Sequence, residues 1–448
     1  MHTMKRWIIG ATVGSAVLLG GVLAARATRP AMQLPETAGA PDSAARPGDA
    51  ALLDADLAFY ARRAAEDPKG AADRSTLAAL HLQRARATGH AGDYARAESL
   101  AMRSLALRSV RNDGAVSTLA AALLARHAFV EARQVVRMSE AVAAGDPTMV
   151  ALLGEIELEL GAYDSARVHF ARVRHAAHRA TIAARLARWY ELTGGSDTAR
   201  VLLRRAIAQL DARDDLAREQ VAWFHYRLGE LELRAGALDS AEASFRRGLA
   251  RWPDDYRILG GLARLEVARG RWEAAIEAGE RAVAIQLEPS TLGTLSEAWA
   301  ALGDSAQADQ WAHAMTVSAL AQPGPIHRAW GLFLLDHGTA RDAREVLARA
   351  RRELRTRQDV YGHDLQAWAL YRSGRLDEAR AAMARALAQG TEDPQLALHA
   401  GLIARAAGDT AGARRYLHRA LRAGGRHAPG AWAEGRRALA ALEGVTRG

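Results

Sequence analysis

The chain has 448 residues, with no cysteine, 12 prolines and 6% aromatic residues, and its 60 basic side chains exceed its 51 acidic ones by a formal charge of +9. The lack of cysteine excludes disulfides, thiolate zinc sites, cysteine nucleophiles and a lipidated cysteine behind a leader, while the abundance of Ala, Leu, Arg and Glu favours helix over strand. Lys5 and Lys69 are the only lysines, so nearly all the positive charge is guanidinium, and residues 401–448 concentrate the excess with nine arginines against three acids.

Lys5 and Arg6 precede an uncharged run of 19 residues, Trp7 to Ala25, which Arg26 and Arg29 close. The run nearly spans a bilayer, which favours retention, yet Ala25-Arg26-Ala27 carries small residues spaced as at a leader cleavage site. Residues 1–27 are expected to be a signal peptide or a transmembrane signal anchor, and both alternatives stand. The charges at Lys5 and Arg6 send the remainder to the periplasmic or extracytoplasmic side, anchored in the inner membrane by residues 7–25 if the segment is kept. Residues 28–50, with Pro30, Pro35, Pro41 and Pro47, read as a flexible linker.

From residue 51 the pattern changes to paired amphipathic segments joined by short turns. A Gly-x-x-x-x-Ala element recurs at Gly92, Gly161, Gly194, Gly236, Gly270, Gly303, Gly374 and Gly408, and two further copies ending at Ala132 and Ala343 have His127 and Gly338 near the turn. The ten alanines, from Ala97 to Ala413, are 33 to 36 residues apart except for one step of 42, which places an insertion near Asp211 to Asp215. A period near 34 accommodates two short helices that cannot bury their apolar faces alone, so neighbours must stack into one continuous core. Glycine releases the chain from the first helix, and the small alanine lets the second approach closely.

These residues resemble the tetratricopeptide repeat family. The fullest matches are Leu228-Gly229, Gly236, Ala241, Phe245, Gly248 and Pro253, then Leu153-Gly154, Gly161, Tyr163, Ala166 and Phe170, then Trp330-Gly331 with Ala343 and Ala350. The resemblance implies an all-α, right-handed superhelical solenoid of about ten helix-turn-helix repeats over residues 51–428. An N-terminal half-repeat, Leu52 to Pro68, and a C-terminal capping helix within 429–448, around Trp432, Leu439 and Leu442, would cover its ends.

In that family the first helix of each repeat lines a concave groove that holds extended peptides or helices. The register transferred to this chain gives Trp223, Tyr226, Glu230, Arg257, Arg264, Tyr361, Asp364, Trp368 and Tyr371 as the expected partner-binding groove. Buried Trp, Tyr and Arg are the side chains that dominate protein interfaces. Glu157, Glu232 and Glu266 recur where the family places an aromatic; an acidic strip for a basic partner is one reading, and pairing with neighbouring arginines is the preferred one. The lysines and asparagines with which some relatives clamp a peptide carboxylate have no counterpart here.

No phosphate-binding glycine loop, His-Glu-x-x-His motif or nucleophile elbow occurs. His169, His175 and His178 lack a carboxylate at helical spacing to complete a metal site, and His363 and Asp364, as helical neighbours, point about 100° apart. The expected function is a non-enzymatic protein-interaction scaffold of the cell envelope, with protein partners, no cofactor and no small-molecule substrate. The alternative is nucleic-acid binding through the arginine-rich helices, motivated by Arg341, Arg344, Arg349, Arg351, Arg352, Arg355 and Arg357.

Overall fold

The computed structural model describes residues 49–213, 215–321, 326–422 and 429–444, all within one compact unit, Gly48 to Gly448. The expected leader or anchor, and all of the linker but its last two residues, lie outside the described residues. Asp49 and Ala50 already belong to the first helix. Among the described residues no helix is long and apolar enough to cross a membrane.

The described elements are helical and follow the repeat. α1 (Asp49–Glu66) is the N-terminal half-unit. Ten helix pairs follow: α2 (Ala71–Thr88) and α3 (Ala91–Leu107); α4 (Asp113–Ala125) and α5 (Phe129–Arg137); then, after the single turn α6 (Glu140–Ala143), α7 (Pro147–Glu159) and α8 (Tyr163–Val173); α9 (Ala180–Leu192) and α10 (Ser196–Asp211); α11 (Arg218–Arg234) and α12 (Leu238–Arg251). The second half continues with α13 (Tyr256–Arg269) and α14 (Trp272–Ile285); α15 (Pro289–Ala301) and α16 (Ser305–Ala321); α17 (Arg328–His337) and α18 (Ala340–Glu353); α19 (Val360–Arg372) and α20 (Leu376–Leu387); α21 (Pro394–Ala406) and α22 (Thr410–Arg422). α23 (Ala431–Gly444) closes the array and holds the expected capping residues.

Seven of the turn glycines, at 161, 194, 236, 270, 303, 374 and 408, have φ between +72° and +86°, a region that only glycine enters without strain. The other three turns depart from the expected form. Gly92 lies inside α3, and Gly89, at φ +70°, ends the preceding helix instead. His127 takes the left-handed conformation itself, at φ +60°. Gly338 is extended, and Thr339 caps α18 by exchanging hydrogen bonds with Asp342.

Within a pair, the first helix has glycine where the second presents a large side chain. A methyl on Gly154 would press on Phe170, one on Gly229 would overlap Phe245, and one on Gly401 would crowd Leu417. The Leu-Gly element of the first helix is therefore the bed for the aromatic of the second. Phe170 and Phe245 are 1% and 0% exposed, a burial that mutational series put at about 3–5 kcal/mol for Phe→Ala. The repeat alanines at 97, 132, 166, 199, 241, 275, 379 and 413 are completely buried. The insertion extends α10 as far as Asp211, which ties it to the next repeat by accepting from His225 at 3.2 Å and pairing with Arg251 at 3.1 Å.

The first helices of the pairs face inwards. The array also returns upon itself: one buried cluster joins Val150–Leu192 with Leu332–Ala438.

Candidate functional site on the inner wall

A cavity of about 1080 Å³ runs along the inside of the solenoid and takes lining residues from the first helix of every pair, from Arg86 on α2 to Asp393 and Pro394 at α21, with Pro429 and Trp432 at the C-terminal end. Six of the nine groove residues expected from the sequence line it: Trp223, Tyr226, Glu230, Arg257, Arg264 and Tyr361. The other three stand behind the wall. Asp364 is 0% exposed, accepts from His399 Nδ1 at 2.7 Å and pairs with Arg328 at 2.7 Å. Trp368 is also 0% exposed; it stacks between Tyr371 and His399, with centroids 4.9 and 4.3 Å away, and donates to Asp336 at 2.8 Å. The Tyr371 hydroxyl donates to Glu434 of the capping helix at 3.1 Å. Their placement follows from helical geometry: Trp368 and Tyr371 lie one turn apart on the face of α19 that meets the last repeats.

The wall is built as a ladder of ion pairs between consecutive first helices. Arg185 and Arg188 on α9 reach back to Glu155 and Glu159 on α7, at 2.8 and 3.1 Å. Arg227 on α11 reaches Glu191 on α9 at 2.7 Å. Arg257 and Arg264 on α13 reach Glu219 and Glu230 on α11 at 3.2 and 2.7 Å. Farther on the direction reverses, with Arg328 on α17 pairing with Asp364 on α19.

Three arginines, Arg188, Arg227 and Arg234, converge on Glu191. Burial alone would raise its pKa, but the three guanidiniums outweigh burial and hold it well below the usual carboxylate range. The same balance of burial against Arg188 and Arg357 lowers Glu159, and of burial against Arg264 and Arg234 lowers Glu230. Tyr361 lies beneath Arg188 and Arg328, whose guanidinium carbons are 5.4 and 4.7 Å from the ring centre, and burial beside Asp393 pushes its phenol up to about 12.

Eight arginines and seven carboxylates line the cavity, so the wall is close to neutral. Seven of the eight guanidiniums, all but that of Arg86, are paired with a carboxylate, which leaves their remaining N–H edges as fixed donors beside Tyr94, Trp223, Phe224, Tyr226 and Tyr361. Such a surface suits the alternating carbonyls and side chains of a polypeptide better than a polyanion. Several of its members, Arg188, Glu191, Arg227, Arg234 and Arg328, escaped the sequence reading. A signal exists for Arg188: eleven residues before successive repeat alanines stand Glu155, Arg188, Glu230, Arg264 and Glu297, an alternation of charge visible only when the repeats are read in register.

The recurrent glutamates are paired, as preferred from the sequence. Glu157 meets Arg133 at 3.5 Å and also Arg137, Glu232 meets Arg204 at 2.8 Å, and Glu266 meets Arg269 and Arg271 at 3.3 and 3.5 Å. His178 Nδ1 lies 3.3 Å from the His175 carbonyl, and among the described residues no group of three or more His, Asp or Glu side chains could hold a metal ion.

Stacked helix pairs with a continuous inner wall define a repeat scaffold of the α-solenoid class. The tetratricopeptide repeat profile matches residues 226–287 and 365–431, so the chain carries tetratricopeptide repeats there, within a stack of ten helix pairs in register. Among solved structures it is similar to MamA of MSR-1, at 21% identity over 38% of this chain and 94% of that one with a TM-score of 0.29. It is also similar to a monomeric mutant of IFIT1 with Gppp-AAAA, at 13% identity over 75% of both chains with a TM-score of 0.47. A third is a tetratricopeptide repeat protein from Parabacteroides merdae, at 14% identity over 60% of this chain and 99% of that one with a TM-score of 0.34. No curated protein sequence matches.

Proposed function

We propose that this chain is a protein-interaction scaffold of the cell envelope that takes a partner peptide or helix along the inner wall of its solenoid. The observation that carries the reading is the wall itself: one continuous surface contributed by all ten repeats, with Trp223, Tyr226 and Tyr361 beside arginines already oriented by carboxylates. Aromatic and guanidinium groups held in a concave surface are the anchors around which protein interfaces concentrate their binding energy. The envelope location rests on the uncharged run Trp7–Ala25 behind Lys5 and Arg6.

Nucleic-acid binding is the weaker reading. Of the arginines that suggested it, Arg349 pairs with Glu345 at 2.8 Å, Arg351 with Glu378 at 3.0 Å, and Arg357 is engaged by Glu159, Glu353 and Asp359. The near-neutral wall offers a phosphate backbone little net attraction.

The test is a pull-down from the native host's envelope fraction with the full chain and with its Trp223→Ala/Tyr226→Ala variant. The reading expects a protein recovered by the parent and lost by the variant. Equal recovery by both would remove the inner wall from the interaction, and binding of RNA or DNA that falls steeply with salt would favour the second reading.

A further inference from the structure

Three helix-to-helix turns of the early repeats are each met closely by a loop from one superhelical turn farther along the chain. A methyl on Gly161 would overlap the backbone of Gln358, one on Gly194 would come within 2.6 Å of the Gly390 carbonyl oxygen, and one on Gly89 would run into the side chain of Gln286. The register is constant. Gly89, Gly161 and Gly194 belong to the first, third and fourth repeats, and Gln286, Gln358 and Gly390 lie in the loops entering α15, α19 and α21, the first helices of the seventh, ninth and tenth.

The late repeats supply the internal contrast. Gly303, Gly374 and Gly408 have the same left-handed backbone, yet a methyl on any of them meets nothing within 4 Å. They belong to the seventh, ninth and tenth repeats, and the described residues hold no repeat six units beyond them. Crowding at the turn is therefore a property of the coil and not of the turn.

Specific bonds accompany the close approach. The Gln358 amide donates to the Leu160 carbonyl at 3.0 Å, the Val360 amide to the Tyr163 hydroxyl at 2.9 Å, and the Ser196 amide to the Glu392 carboxylate at 3.3 Å. Arg357 Nε donates to the Glu159 carbonyl at 3.0 Å while its guanidinium lies 4.9 Å from the centre of the Phe129 ring. The buried cluster that joins Val150–Leu192 to Leu332–Ala438 supplies an apolar component.

We infer that these contacts form an inter-turn seam that locks the solenoid as a closed coil with a repeat offset of six, so that a partner cannot enter the inner wall sideways between the third and ninth repeats unless the seam parts. The lock is a property of the free chain and does not depend on the identity, or the existence, of a partner.

The absence of cysteine makes a direct test available in the full chain. Asp164→Cys and Gln358→Cys place spin labels on either side of the seam; Asp164 is fully exposed, and Gln358 contributes only backbone to the contact. Pulsed electron paramagnetic resonance is expected to give one narrow, short distance for this labelled parent. Adding Gly161→Ala, or independently Gly194→Ala, is expected to shift the population to longer distances with helix content by circular dichroism unchanged. Gly374→Ala imposes the same backbone strain with nothing to collide with, and is expected to leave the distance as it was. A broad or long distance in the labelled parent, unchanged short distances in both seam variants, or an equal response to Gly374→Ala would each overturn the inference.

Discussion

Arg357 Nε donates to the carbonyl oxygen of Glu159 at 3.0 Å, across 198 residues of chain. The same guanidinium also reaches the Glu159, Asp359 and Glu353 carboxylates at 3.2, 2.8 and 3.2 Å. One half-buried cation thus satisfies three acids brought together by folding. Arg357→Ala leaves Asp359 and Glu353 without this counter-charge and Glu159 with Arg188 alone, and removing one partner of a buried ionic group costs about 3–5 kcal/mol. A fall of that size in stability by urea denaturation is expected, larger than for Arg352→Ala on the exposed face of the preceding helix.

Asp93 gives the acid limb of the stability profile a specific contributor. Burial would raise its pKa, but hydrogen bonds from Arg84 and His81 outweigh burial and hold it at about 2, below the ordinary value of 3.8. The folded state therefore binds the proton more weakly than the unfolded one. The contribution is complete above pH 4 and disappears as pH falls through about 2; a shift of this size corresponds to about 2 kcal/mol. Asp93→Asn is expected to lose about that much at pH 7, with the gap to the parent closing as thermal unfolding is followed down to pH 2.

Trp368 and Trp223 separate fold from surface. Trp368 is completely buried, stacked between Tyr371 and His399, and satisfies Asp336. Trp368→Ala should cost about 3–5 kcal/mol. Trp223 lines the cavity and is only partly buried, so Trp223→Ala should cost about 1 kcal/mol or less. Melting temperatures of the two variants check the distinction, and a similar drop in both would place Trp223 in the core as well.

The glycine bed under each aromatic can be tested as a pair. Gly229→Ala drives a methyl into Phe245 and should destabilise by about 1–3 kcal/mol. Combining it with Phe245→Leu should cost less than the sum of the two single changes, since the smaller side chain gives way to the methyl. Strict additivity in the double-mutant cycle would mean that the two positions do not share a contact.

Much of this architecture was legible in the sequence because its causes are local. The glycine at the turn and the alanine five residues later are both demanded within one helix pair; the alanine recurs ten times, and seven of its turns hold a left-handed glycine. Pairing of Glu157, Glu232 and Glu266 with neighbouring arginines was legible for the same reason. The contact of Gly161 with Gln358 was not, because it arises from small rotations summed over six repeats, and no stretch of sequence records that sum. Family register alone points Trp368 and Asp364 to the groove. Their burial depends on His399 and Arg328, which approach from the adjoining repeats on either side.

The proposal that the inner wall engages a protein is tested most directly by photo-crosslinking in the native host. A photoreactive amino acid replaces Trp223 or Tyr226 on the wall in one set of variants, and Val201 or Met138, both exposed, in a control set. The account predicts a defined protein adduct from the wall positions and none of the same mass from the controls. Adducts from Val201 and Met138 with none from Trp223 or Tyr226 would contradict it.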